Sequence, residues 1–131
     1  PIALKIPADL SRDELLACAD LCMESGIDGV IACGPLLAPA GKTNGSKQLF
    51  ISGGPARERT TQTVGLLAEH TAKALPIIAC GGIFSAADAL EKIQAGASLI
   101  ELFSGFVFKG PALIAECSNA IAKACSSNAM R

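Results

Sequence analysis

The sequence predicts a parallel α/β fold: four βα units that make the C-terminal half of an eight-stranded (β/α)8 barrel. Three observations predict it. Apolar strand-like runs alternate with capped helical segments in the order β-α-β-α-β-α-β-α, with no hairpin signal between them, and such alternation makes a parallel sheet. Two of the runs, residues 76–80 and 98–103, stop abruptly in the glycine turns Gly81-Gly82 and Ser104-Gly105. The last two strands of a barrel end in this way around a phosphate. Finally, 131 residues are one domain's worth of chain or less, and four units leave two strand edges and an apolar interior uncovered.

The elements follow in order. Residues 1–6 read as a strand, with Lys5 near its end. Ser11-Arg12-Asp13-Glu14 is a complete capping box, and Leu10 and Leu15 are placed as a hydrophobic staple around it. The helix it opens carries Leu15, Leu16, Ala19, Cys22 and Met23 on one stripe, and Gly26 ends it. The run 29–33 is apolar throughout, as expected of a strand covered on both faces. Residues 34–59 form a long loop rich in Gly, Pro, Lys and Ser, and loops of that length in compact domains are usually functional or disordered. Thr60 or Thr61 is expected to cap a helix reaching about residue 74. After the strand at 76–80 come a helix from Ser85 to about residue 95, with Gly96 beyond its end, and the strand at 98–103. Pro111 starts a final helix to roughly residue 124. The domain is thus expected over 1–125, with 126–131 a disordered tail.

Composition excludes several functions. The chain is 50% hydrophobic, lacks Trp and Tyr and carries a net charge of −1, so it has neither stacking platforms nor the basic excess that nucleic acid or an anionic membrane requires. No apolar run approaches the roughly 18 residues of a spanning helix. The start, Pro1-Ile2-Ala3-Leu4-Lys5-Ile6, is no signal peptide and opens in a strand without Met, so the chain is expected to begin inside a larger fold. The six cysteines form no CxxC pair. They read as buried, reduced thiols of a cytoplasmic protein, with no metal site.

The chemistry concentrates at the glycine corners. Gly81 and Gly82 let backbone N–H groups approach an anion, with the positive end of the Ser85 helix behind them. Ser104 and Gly105 add a hydroxyl and another amide on the neighbouring strand. Lys5 is a cation among Ile2, Ala3, Leu4 and Ile6. On an interior position it needs an anionic partner, such as an anionic cofactor ring, because a bare buried charge is costly; facing outward it would snorkel. His70 reads as a solvated helical histidine; Arg57, Arg59, Lys42 and Lys47 flank the long loop and read as its solvated surface, the alternative being that they meet an anionic ligand. Glu101, inside an apolar strand, is either buried and paired or at the barrel mouth. No acid–base catalyst, nucleophile elbow or metal motif is visible.

Residues 1–123 resemble the C-terminal half of the quinone-using, membrane-associated class of dihydroorotate dehydrogenase. The likeness rests on residues 1–6, Asp9-Leu10-Ser11, Gly26-Ile27-Asp28-Gly29-Val30-Ile31, Ser52-Gly53 with Pro55, Pro76-Ile77-Ile78, Gly81-Gly82-Ile83, Glu91-Lys92-Ile93, Ala95-Gly96-Ala97-Ser98-Leu99 and the run from Ser104-Gly105-Phe106 through Phe108-Lys109-Gly110-Pro111. The resemblance implies an FMN-holding (TIM) barrel that oxidises dihydroorotate to orotate in pyrimidine synthesis, electrons leaving to a quinone. By position it places Lys5 beside the flavin ring, stabilising its anionic reduced form. Gly53, Gly81 and Gly82 contact FMN through backbone, and Ser104, with Phe103 beside it, holds the phosphate.

The chain also departs from that family. A Thr-Asn-Thr-Thr run that touches flavin and orotate is replaced by Cys33-Gly34-Pro35-Leu36, and losing a buried amide contact costs about 1–3 kcal/mol. An aromatic Tyr is replaced by Phe103, a Val by Cys80, and the usual Ala-Pro is inverted to Pro7-Ala8. The serine base of the class, the other orotate-binding amides and the N-terminal helices would lie upstream. The chain alone is therefore expected to be inactive, and to pair with the missing half-barrel or with itself. Its location is expected to be cytoplasmic, or peripheral on the inner membrane where those helices are present. The alternative is a non-enzymatic half-barrel that binds a phosphate ligand or self-associates.

Overall fold

The computed structural model describes residues 1–38 and 49–128. The strands β1 (Ala3–Ile6), β2 (Gly29–Ala32), β5 (Ile77–Cys80) and β6 (Leu99–Glu101) form one parallel sheet in the order β1-β2-β5-β6. That is the expected half-barrel, and β1 and β6 are its open edges. Two short strands, β3 (Leu36–Leu37) and β4 (Phe50–Ile51), pair antiparallel. This ladder contradicts the expectation of no hairpin. Two residues per strand are too few for a periodic signal, and they flank residues 39–48, which lie outside the described residues together with Lys42 and Lys47.

The helices α1 (Arg12–Glu24), α2 (Arg57–His70), α3 (Ala86–Gln94) and α5 (Ala112–Asn128) alternate with the strands, and a short α4 (Ser104–Lys109) precedes the last. The capping box of α1 is complete: the Ser11 hydroxyl accepts from the Glu14 N–H at 3.3 Å, and the Glu14 carboxylate accepts from the Ser11 N–H at 2.9 Å. Ser85 caps α3 by accepting from the Asp88 N–H at 3.2 Å.

The expected start of α2 at Thr60 or Thr61 is corrected. A 3-10 turn over Gly54–Ala56 runs into the helix at Arg57 with no side-chain cap, and Pro55 supplies the first-turn backbone angle. The two threonine hydroxyls instead donate back to the Arg57 carbonyl at 3.0 and 2.9 Å. At the other end of the chain α5 runs through Ser126 and Ser127, whose hydroxyls donate to the Ala122 and Lys123 carbonyls. The tail expected from 126 is therefore helical as far as residue 128, and 129–131 lie outside the described residues.

One face of the sheet carries the core. Ile6, Val30, Ala32, Ile77 and Ala79 point at the helices and are at most 2% exposed, packed with Leu15, Val64 and Leu67. The opposite face is open: Lys5 and Leu99 are exposed, and Ile31 and Ile78 are half-buried. The expectation that β2 is covered on both faces fails here, because no element of the described residues crosses the concave side. Hydrophobicity at every strand position matches a closed barrel, and only half of one is present.

Side-chain bonds tie the helical layer together. Lys92 of α3 is wholly buried, yet its Nζ donates to the Arg57 carbonyl at 2.8 Å and to the Thr60 and Thr61 hydroxyls at 2.7 and 2.5 Å. Three acceptors satisfy the three N–H bonds of an ammonium. Burial pulls its pKa down to about 8. Arg57 pairs with Asp88 at 2.7 Å and with Glu91, while Arg59 donates to the Ala8 and Leu10 carbonyls at 3.1 and 2.9 Å. Both arginines, expected as solvated loop flanks, are structural clamps. His70 meets Asp20 of α1 at 2.7 Å instead of standing free in solvent.

Candidate functional site

A cavity of about 380 Å3 opens where the strands of the parallel sheet end, within the range of small-molecule sites. Lys5, Gly53, Gly81, Gly82, Phe103 and Ser104 all line it. These positions lie on four separate segments, and the sheet order brings their ends to one mouth. Phe103 stands at the rim, 71% exposed.

Each corner has a local cause. Gly81 and Gly82 take φ of +102° and +73°, left-handed values that only glycine adopts freely. A Cβ at Gly82 would collide with the Arg57 backbone, so this turn closes on the start of α2 as well as facing the cavity. Gly53 has φ +77°, and a Cβ there would stand 3.4 Å from the Ser104 Cβ. The Ser52 and Ser104 hydroxyls lie 3.1 Å apart, joining the long loop to the end of β6. Ser52 thereby enters the site beside the residues the sequence singled out.

Ser104 does not end a strand, as expected, but starts α4. By helix geometry the N–H groups of Ser104, Gly105 and Phe106 have no acceptor within that helix. The α3 end expected to stand behind Gly82 is already satisfied by protein. The Phe84 N–H donates to the Asp88 carboxylate at 3.0 Å, the Ala86 N–H to Glu116 at 3.0 Å and the Asp88 N–H to Ser85. The polar groups that line this mouth beside the Lys5–Glu101 pair are the Ser52 and Ser104 hydroxyls and the backbone of Gly81, Gly82 and Gly105.

Lys5 faces the cavity, but its anionic partner is a protein side chain. Its Nζ donates to the two Glu101 carboxylate oxygens at 3.0 and 3.3 Å and lies 3.8 Å from the Cys80 Sγ. This answers the open question of Glu101: it is paired, at the barrel mouth. Burial draws the Lys5 pKa down, but the bonds to Glu101 and Cys80 outweigh it and the net direction is up. The ammonium is therefore charged at any ordinary pH.

Cys33, Gly34 and Pro35 form another part of the wall. The Cys33 N–H donates to the Cys80 carbonyl and the Gly34 N–H to the Ile6 carbonyl, both at 3.1 Å, and Pro35 has none. Burial pushes the Cys33 thiol up to about 11 and raises Cys80 as well. Neither is a thiolate nucleophile near neutral pH. Among the described residues no group of three or more His, Cys, Asp or Glu side chains could hold a metal, and no helix is long and apolar enough to cross a membrane. The lining fits a phosphate-bearing ring in its chemistry: apolar side chains, one ammonium paired with a carboxylate, two serine hydroxyls and close-lying glycine backbone.

The comparisons with known proteins agree with the fold. The family model described as dihydroorotate dehydrogenase matches residues 1–124. A relative from Thiobacillus denitrificans, named dihydroorotate dehydrogenase (quinone), is 47% identical over 126 residues, which are 94% of this chain and 37% of the relative. A relative of the same name from Saccharophagus degradans is 43% identical over 127 residues, covering 95% of this chain and 38% of its own. The structure of DHODH from Eimeria tenella in complex with ferulenol superposes with a TM-score of 0.84 at 26% identity, over 99% of this chain and 36% of that one. Its ligand-free form gives 0.82 at 28% identity, over 96% and 36%. The chain thus spans a little over a third of the length of the proteins it matches.

Proposed function

The chain belongs to the dihydroorotate dehydrogenase family, and from that premise we propose that it is the half-barrel that holds FMN in an enzyme oxidising dihydroorotate to orotate, with electrons passed on to a quinone. Bound FMN would supply the hydride acceptor. The chain's own residues bind and orient it. The Lys5 ammonium would hold the ring by charge, while the Gly81-Gly82 turn and the Ser104 hydroxyl would hold the phosphate. Gly53 lets the loop backbone approach, and Phe103 shields the rim.

The observation that carries this reading is the gathering of Lys5 and three glycine corners around one cavity. The base, the remaining substrate contacts and any membrane-facing segment belong to the rest of the barrel, which the relatives' greater length accommodates. The Cys33-Gly34-Pro35 wall favours a second reading, the same flavin barrel with a substrate other than orotate, because no side-chain amide and no free N–H stands there. Orotate binding to the reconstituted protein decides between the two.

Flavin fluorescence tests the main reading. The purified chain is titrated with FMN alone and mixed with the remaining barrel of the Thiobacillus denitrificans relative. Quenching is expected with the mixture, and dihydroorotate turnover only there. FMN bound by neither sample overturns the flavin reading. Turnover by the 131 residues alone overturns the division of labour.

A further inference from the structure

The charge on Lys5 is already answered before any guest arrives. Lys5 lies on β1 and Glu101 on β6, the two edge strands, 96 residues apart. Their bond spans the concave face above the half-buried Ile31 and Ile78. Both side chains line the cavity, 44% and 38% exposed. A cation so paired attracts an anion less than a bare one would, since at a few ångströms the carboxylate cancels much of its field.

We infer that Glu101 is a positioning residue acting through Lys5: it holds the ammonium across the cavity floor and sets how strongly the cavity favours a guest with negative charge on its ring. The inference rests on the flavin reading above. Its consequence is separable from simple occupancy, because oxidised FMN has a neutral ring and chemically reduced FMN carries a negative one above neutral pH. Glu101 therefore weakens the preference for the reduced form, and Lys5 creates that preference.

The experiment measures dissociation constants of oxidised and reduced FMN under argon for the reconstituted protein and its Glu101→Gln, Glu101→Asp and Lys5→Met variants. The ratio of the two constants is the readout, which a merely structural role would leave unchanged. Glu101→Gln is expected to shift the ratio about tenfold toward the reduced form. Glu101→Asp, which keeps the charge, retains the parent ratio, and Lys5→Met shifts it the opposite way. An unchanged ratio in Glu101→Gln, or the same shift in Glu101→Asp, overturns the inference and leaves the flavin reading standing. Failure of either form of FMN to bind the unsubstituted protein overturns both.

Discussion

The two faces of the parallel sheet are built from similar aliphatic residues and do opposite jobs. On the helix side Val30, Ala32 and Ala79 are 0% exposed. On the concave side Leu99 is 61% exposed, and the pair Lys5–Glu101 spans the opening. Adjacent residues of one strand, Ile77 and Ile78, fall on different sides of that divide. The lesson is that stability sits on the face the helices cover, while the cavity and the uncovered apolar surface share the other.

Substitutions can break that contrast. Ile77→Ala removes side-chain atoms from a site 1% exposed, and urea unfolding should show a loss of about 2–5 kcal/mol. An intermediate effect comes from pH. Lys92, pulled to about 8 when folded from 10.5 unfolded, binds its proton less well in the native state, so stability rises as pH climbs above 8. Cys33, pushed from 9.0 to about 11, keeps its proton in the native state where the unfolded chain has lost it, so it lowers stability as pH passes 9. Lys92 adds about 1 kcal/mol between pH 8 and 9; above 9 the curve turns down, because burial raises Cys22, Cys80 and Cys117 along with Cys33. Lys92→Met should abolish the gain and Cys33→Ala should lessen the fall, both read from unfolding curves at stepped pH. The smallest effect is Leu99→Ala, expected to move stability by less than about 0.5 kcal/mol in the chain alone. A loss there as large as that of Ile77→Ala would mean the concave face is covered in solution, and the contrast would fall.

What could be read from the chain follows the range of the interaction. The Ser11–Glu14 box and the helix start at Ser85 were legible because a cap and its partner lie within one helical turn. The four strands were legible because each is a short apolar run with an abrupt end, at Pro7 for the first and in a glycine turn for the other three. The start of α2 was misjudged because Thr60 and Thr61 look like caps, and only the 3-10 turn carrying Pro55 moved the helix start to Arg57. Helix α4 was hidden in the apolar stretch Phe106-Val107-Phe108, six residues offering no period to recognise. Lys92 gave no signal either: a lysine on a helix reads as solvated until the hydroxyls of another helix surround it.

Residue order was enough to establish the βα alternation, the glycine mouth and the family, since these depend on local propensity and on motifs contiguous in the chain. Folding in three dimensions decided the rest. It chose Glu101 as the partner of Lys5, placed Ser52 against Ser104, and left one face of the sheet open. Those outcomes depend on how strand ends far apart in the chain converge on one curved sheet, and no short stretch of sequence encodes a distance between them.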